Sequence, residues 1–156
     1  MSSEGFIFPS PQWAEAFCKA LNENQEYREA AKDWIWDVVF VASNIPNAVV
    51  SAVAQLMGGL SNVTSNAGAM KFRLRNGTCQ GSEFYIDASK ADADYILEAD
   101  YTLWKDLIQG KVDPVAAILS RKIRVKKGSF LTLIQFSSAA IKMTNTAMSV
   151  PTRFVA

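Results

Sequence analysis

Histidine does not occur among the 156 residues of this chain, and its absence removes several chemistries at once. Ser-His-Asp and Cys-His catalysis are excluded, together with any histidine metal ligand and any imidazole switch near neutral pH. Cysteine is almost as scarce. Cys18 and Cys79 are the only two, too few to make a zinc site alone and at a separation that matches no redox motif. The expectation is two free, buried thiols in a cytoplasmic chain, with no metal and no cofactor. Long apolar runs are missing as well. Residues 38–70 carry no charge over 33 positions. Even so, Asn44, Pro46, Asn47, Gln55, the Gly58-Gly59 pair, Asn62 and Asn66 interrupt every window of about 18 residues, so no transmembrane helix is expected. The opening Met-Ser-Ser-Glu-Gly has neither the positive region nor the apolar core of a signal peptide, which also points to the cytoplasm.

What is present is apolar material. At 49% hydrophobic and 20% charged, the chain can bury a real core, and its length fits one domain over residues 1–156 with a core at about 11–148. The net charge of +1 hides an asymmetry. Residues 1–46 hold 7 acidic and 3 basic side chains, residues 47–70 none, and residues 71–156 hold 8 acidic and 13 basic. That balance is too mild for a nucleic-acid binder, but it can orient a protein near an anionic surface.

Local patterns predict the order of elements. Ser10 and Pro11 start a helix whose Trp13, Phe17, Ala20 and Leu21 share a face, and a second short helix follows over 25–32. Residues 33–43, rich in aromatic and β-branched types, read as a strand. Segment 44–66 is a cover or a buried connector, with a short helix at 47–57. Residues 69–77 alternate, with Met70, Phe72 and Leu74 opposite Lys71, Arg73 and Arg75. Asn76-Gly77 then supplies the two positive-φ residues of a type I′ hairpin. A bulge near Gly81-Ser82 is expected, because it restores Phe84 and Ile86 to the core face. Residues 93–99 make another strand, Asp100 caps a helix that ends at Gly110, and Asp113-Pro114 starts a short helix through Leu119. A strand over 121–127 places Ile123 and Val125 on one face and Lys122, Arg124 and Lys126 on the other.

A single final helix is expected over 130–148. On a wheel, Phe130, Leu133, Ile134, Phe136, Ala140, Ile141, Met143, Ala147 and Met148 fill an arc of about 180°, wider than a surface helix needs. Thr132, Gln135, Ser138, Lys142, Asn145 and Thr146 lie opposite, with Leu131 and Ala139 among them. Ser137 and Thr144 fall inside the apolar arc, where each hydroxyl can bond the carbonyl four residues back. Such a helix is either simply buried or packs on the sheet with one edge and lines a cavity with the other. Hairpin-linked strands with helices at both ends predict an α+β layer, one sheet covered on one face by helices.

The stretch ADYILEADYTLWKDLIQGKVDPVAAILSRKIRVKKG resembles the sterol carrier protein type 2 family. The resemblance rests on a strand, a helix ending in Gly110-Lys111-Val112-Asp113-Pro114, a short helix, the basic strand Lys122-Ile123-Arg124-Val125-Lys126, and Gly128. Upstream, PQWAEAFCKALNENQEYREAAKDW followed by a strand and an Arg-Asn-Gly-Thr hairpin is similar to stand-alone prokaryotic members. The chain departs from the pattern at Arg121, where the family commonly has glycine.

The resemblance implies a five-stranded, largely antiparallel sheet covered on one face by helices and enclosing an apolar tunnel. It implies non-enzymatic binding or transfer of a fatty acyl chain, acyl-CoA, sterol or similar ligand. The alternative is an accessory module that presents an apolar substrate to a partner enzyme. Under this resemblance Leu133, Phe136, Ala140 and Met143 face the ligand, and Leu103, Leu107, Ile108, Ile118, Phe72 and Leu74 are candidate walls. Lys122, Arg124 and Lys126 are either a solvated sheet face or contacts for anionic headgroups on a transiently bound membrane. No nucleic-acid partner is expected, and the oligomeric state is left open. Tyr85, Tyr101 and the four tryptophans read as core or rim residues.

Overall fold

The structure, a computed structural model, describes residues 5–59 and 66–156, and it begins with a two-residue strand, β1 (Phe6–Ile7). Ser10 begins the first helix, α1 (Pro11–Glu23), its Oγ accepting the Trp13 N–H at 3.0 Å with proline in the first turn. Asn24 then caps α2 (Gln25–Ala30), its Oδ1 accepting the N–H groups of Glu26 and Tyr27. The next strand is shorter than its composition predicts. β2 covers only Val38–Ser43, because residues 34–36 leave the ladder to pack aromatic rings. Trp34 and Trp36 meet edge to face at 4.9 Å, and the Trp34 indole donates to the Trp36 carbonyl at 2.8 Å.

A helix α3 (Asn47–Leu56) lies within the charge-free run and buries Val49, Val53 and Ala54. The part of that run at residues 60–65, which includes Asn62, falls outside the described residues. β3 (Gly68–Arg75) and β4 (Thr78–Tyr85) then form the expected hairpin, with Asn76 at φ 53° and Gly77 at φ 83°. A Cβ on Gly77 would also strike the Arg28 carbonyl, so glycine is required there twice over. Leu74 faces Cys79, Phe72 faces Ser82 and Met70 faces Phe84. Two residues, Gln80 and Gly81, therefore oppose Arg73. This is the expected bulge, one residue earlier than anticipated.

The chain continues through β5 (Tyr95–Asp100), α4 (Tyr101–Ile108), α5 (Pro114–Leu119), β6 (Arg124–Lys127), α6 (Phe130–Gln135), α7 (Ser137–Ser149) and a two-residue strand at Thr152–Arg153. That last strand pairs in parallel with Phe6–Ile7. The main sheet has the order β4-β3-β2-β5-β6, antiparallel except where β2 runs parallel to β5. Its helix-facing side supplies Val38, Ala42, Phe72, Leu74, Tyr95 and Leu97 to the principal core. Its other side carries a smaller apolar cluster around Val39, Val41 and Ala69, covered by residues near Ala91.

Several expectations need correction. The cysteines are not free thiols, because Cys18 and Cys79 form a disulfide across a Cα–Cα distance of 5.4 Å. Helix α1 lies against the hairpin edge and brings together two residues 61 apart, a proximity that spacing alone does not reveal. Asp100 does not cap α4 through its side chain; its Oδ1 instead accepts from Asn44 at 3.0 Å. The basic strand starts at Arg124, since Arg121 takes a left-handed conformation at φ 65°. That backbone is the physical reason a glycine suits this position.

The final helix is not continuous. Phe136, at φ −100° and ψ 28°, separates α6 from α7 and turns its ring onto Trp34 at 5.0 Å. The break re-phases the wheel. Ala139 and Thr146, expected among the polar residues, are buried, while Phe130, Ile141 and Met148, expected inside, are exposed. Thr146 is accommodated because its hydroxyl donates to the Lys142 carbonyl at 2.8 Å and accepts from Asn24 at 2.7 Å. Thr144 bonds the Ala140 carbonyl at 3.0 Å, as expected for a hydroxyl on a buried face.

Candidate functional site

Among the described residues, two apolar cavities lie between the sheet and its helices. The first, of about 70 Å³, is enclosed by Phe8 and Pro9, by Trp13 and Phe17 of α1, by Phe40, Met70 and Phe72 of the sheet, and by Ile108. The second, of about 100 Å³, is enclosed by Tyr27, Ala31 and Trp34, by Leu74 and Leu97, and by Pro114, Ile118 and Ile123. Leu133, Phe136, Ala139 and Ala140 complete it. Both are bounded by Phe40, Trp104, Leu107, Met143 and Thr144, so a shared partition divides one hollow layer. A third, small cavity lies under α3 and shares Pro9 and Gly68 with the first. A wider hollow of about 460 Å³ beside Glu23, Glu26 and Ser149 is open and polar, and it stands apart from these walls.

The local causes of this arrangement are visible. Trp13 and Phe17, four apart on α1, stack at 5.0 Å and present one aromatic face to the sheet. Phe72 meets Phe17 edge to face at 5.3 Å and Phe40 at 5.9 Å. Trp104 reaches from α4 across the partition, its indole donating to the Val41 carbonyl at 2.9 Å while its ring meets Phe40 at 5.5 Å. Large rings fixed by such contacts cannot fill every gap, which leaves space between them. Met143, unbranched and easily re-oriented, is the most adaptable member of the partition.

Of the residues expected from sequence, Leu74, Ile118, Leu133, Phe136 and Ala140 lie on the second cavity. Phe72 and Ile108 lie on the first, and Leu107 and Met143 on both. Leu103 lines neither and is buried in the core. The sequence reading missed the aromatic walls Phe8, Trp13, Phe17, Phe40, Trp34 and Trp104, and also Tyr27. Their periodicity marked several of them as inward-facing, but nothing in the spacing distinguishes a filled interior from a hollow one.

The basic residues lie elsewhere. Lys122 and Lys126 are exposed, and Arg124 reaches Glu98 at 3.3 Å. Glu98 also accepts from the Ser43 hydroxyl at 2.7 Å. That bond, opposed by partial burial and reinforced by Arg124, holds its carboxyl below the ordinary glutamate value of 4.5. Elsewhere on the sheet Arg75 of β3 pairs with Asp37 at 2.7 Å, and Lys127 of β6 pairs with Asp92 at 2.9 Å. Three apolar side chains stand out near the same region: Leu119, Phe130 and Leu131, the last 74% exposed. Among the described residues no group of three or more Asp, Glu or Cys side chains converges in a way that could hold a metal ion. No helix there is long and apolar enough to cross a membrane.

Solved structures place this architecture. A crystal structure of sterol carrier protein 2 aligns over 90% of this chain and 97% of its own, with a TM-score of 0.73 and 25% identity. The chain has the sterol carrier protein 2 fold. A solution structure from Thermus thermophilus, of a conserved hypothetical protein described as possibly sterol carrier protein, agrees. It has a TM-score of 0.74 and 25% identity over 94% of this chain and 93% of its own. No family model and no curated protein sequence matches the chain. The sterol carrier protein 2 likeness therefore rests on backbone arrangement and on the motif order around Gly110–Gly128.

Proposed function

We propose that this protein is a non-enzymatic lipid carrier, holding a fatty acyl chain, acyl-CoA, sterol or similar apolar ligand in a tunnel formed when its two cavities join. The observation that supports this best is the shared partition of Phe40, Trp104, Leu107, Met143 and Thr144 between two apolar hollows. Met143 is the adaptable side chain of that partition, and its rotation is the proposed way the two hollows join. Each methylene buried there then contributes about 0.8 kcal/mol, so affinity needs few polar contacts. The resemblance to sterol carrier protein 2 supports the same reading. Mass spectrometry of the organic extract from gently purified protein tests it. A recurrent co-purifying lipid is expected; a repeatedly empty protein that also takes up no fluorescent fatty acid or sterol refutes it.

Delivery calls for a membrane encounter. Exposed Lys122 and Lys126, with Arg124, give the α5–β6–α6 region a positive surface beside the projecting Leu119, Phe130 and Leu131. We assign these residues to anionic headgroups and to the acyl boundary beneath them. Binding to phosphatidylserine-containing vesicles should weaken with salt, and salt-insensitive binding counts against the electrostatic part. A cytoplasmic setting is tested by alkylating thiols at lysis. Two reactive cysteines fit the cytoplasm, whereas none fits an oxidising compartment and the Cys18–Cys79 bridge.

A further inference from the structure

Among the described residues, five side chains with hydrogen-bonding groups border the two cavities: Trp13, Tyr27, Trp34, Trp104 and Thr144. Four are already committed within the protein. The Trp13 indole donates to Thr152 Oγ1 at 2.9 Å, Trp34 to the Trp36 carbonyl at 2.8 Å, Trp104 to the Val41 carbonyl at 2.9 Å, and Thr144 to the Ala140 carbonyl at 3.0 Å. Tyr27 differs. It is 1% exposed and its backbone is fully engaged, the N–H donating to Asn24 Oδ1 and the carbonyl accepting from Ala31. Its phenolic hydroxyl has no protein partner among the described residues. Among the described residues no buried side-chain polar atom is left without a partner, so this hydroxyl keeps some accessible surface. Tyr27 borders the second cavity, where a ligand oxygen can accept its hydrogen bond.

The surroundings say what kind of oxygen this is. Among the described residues no charged side chain lines either cavity, so a carboxylate or phosphate drawn inside would lose its hydration with no counter-charge from them to replace it. An uncharged oxygen needs only the one hydrogen bond. Burial also pushes the Tyr27 phenol above its ordinary value, so the group stays protonated and acts as a donor.

We infer that the Tyr27 hydroxyl is the internal anchor for the ligand's polar end, and that it selects lipids with an uncharged acceptor oxygen: an alcohol, ketone or ester. This rests on the lipid-carrier reading and narrows it, setting such lipids ahead of free fatty acids.

Tyr27→Phe removes one oxygen and no protein hydrogen bond, so fold and melting temperature should be unchanged. Binding of 1-decanol, decanoate and 1-chlorodecane to the full chain can be followed at neutral pH through the fluorescence of Trp34 and Trp104. The native protein should favour decanol over chlorodecane by about tenfold, the worth of one well-made buried hydrogen bond, and decanoate should bind more weakly than decanol. Tyr27→Phe should keep the chlorodecane affinity and lose the preference for decanol. A preference that survives in Tyr27→Phe, or native protein that binds decanoate more tightly than decanol, overturns the anchor while leaving the carrier reading intact. Failure of the native protein to bind any of the three overturns the carrier reading, and the anchor with it.

Discussion

The two cavities are similar in size and chemistry but are roofed differently. The first lies under α1, a thirteen-residue helix with a side-chain cap at its start and a covalent tie from Cys18 to Cys79 in β4. Trp13 fastens the same helix to Thr152. The second lies under α5 and α6, six residues each, and under the break at Phe136. Short helices held by a few contacts separate from a sheet more easily than one long, cross-linked helix. On this account the first cavity is the fixed end of the hollow, and the second is the end a ligand opens.

The sharpest way to break that contrast is to remove its covalent part. Converting both Cys18 and Cys79 to alanine should lower unfolding free energy by about 4 kcal/mol, given the 61-residue separation of the bridge. Urea titration measures this, and the variant's first cavity should become as easily opened as the second. A loss well under 1 kcal/mol would mean that α1 needs no clamp.

Next come two leucines on α4. Leu103→Ala and Leu107→Ala should each cost about 3 kcal/mol, since both are buried. Only Leu107 borders the cavities, so only its truncation should change ligand capacity. Equal effects on binding would undo the distinction between core and lining. A third test fills space rather than creating it. Ala140→Phe should intrude into the second cavity, cost about 1–2 kcal/mol in overpacking, and weaken uptake of a long-chain ligand at least about tenfold in a fluorescence titration.

The smallest effect belongs to the opposite face of the sheet and serves as a control. Glu98 has its folded pKa lowered, so its contribution to stability is present above its unfolded value near 4.5 and is lost as pH falls through the folded one. Ser43→Ala removes the largest cause of that lowering. It should cost about 1 kcal/mol at neutral pH, a difference that shrinks as pH falls below the unfolded glutamate value of 4.5, with ligand binding unaffected. Urea midpoints across pH read the first part and titration of ligand the second.

Much of the fold was legible because its signals are local. Asn76-Gly77 fixed the hairpin, Ser10-Pro11 and Asp113-Pro114 fixed two helix starts, and the alternation around Phe72 identified the core face of β3. The failures share another cause. The disulfide, the late start of β2 and the break at Phe136 all depend on contacts between residues distant in sequence, where packing overrides propensity. Phe136 shows this most clearly: its helical spacing is sound, yet its place against Trp34 decides the backbone. The hollow was least legible. Leu107 and Leu103 look alike in sequence, four apart on one face, and only the assembled helices separate lining from core.

The central claim is that two cavities act as one site for one apolar chain. The direct measurement is the stoichiometry of a sixteen-carbon alcohol by native mass spectrometry, in the native protein and in Ala140→Phe. The account predicts one molecule per native chain and a greatly reduced fraction bound in the variant. Two molecules per chain, or undiminished binding to Ala140→Phe, would contradict it.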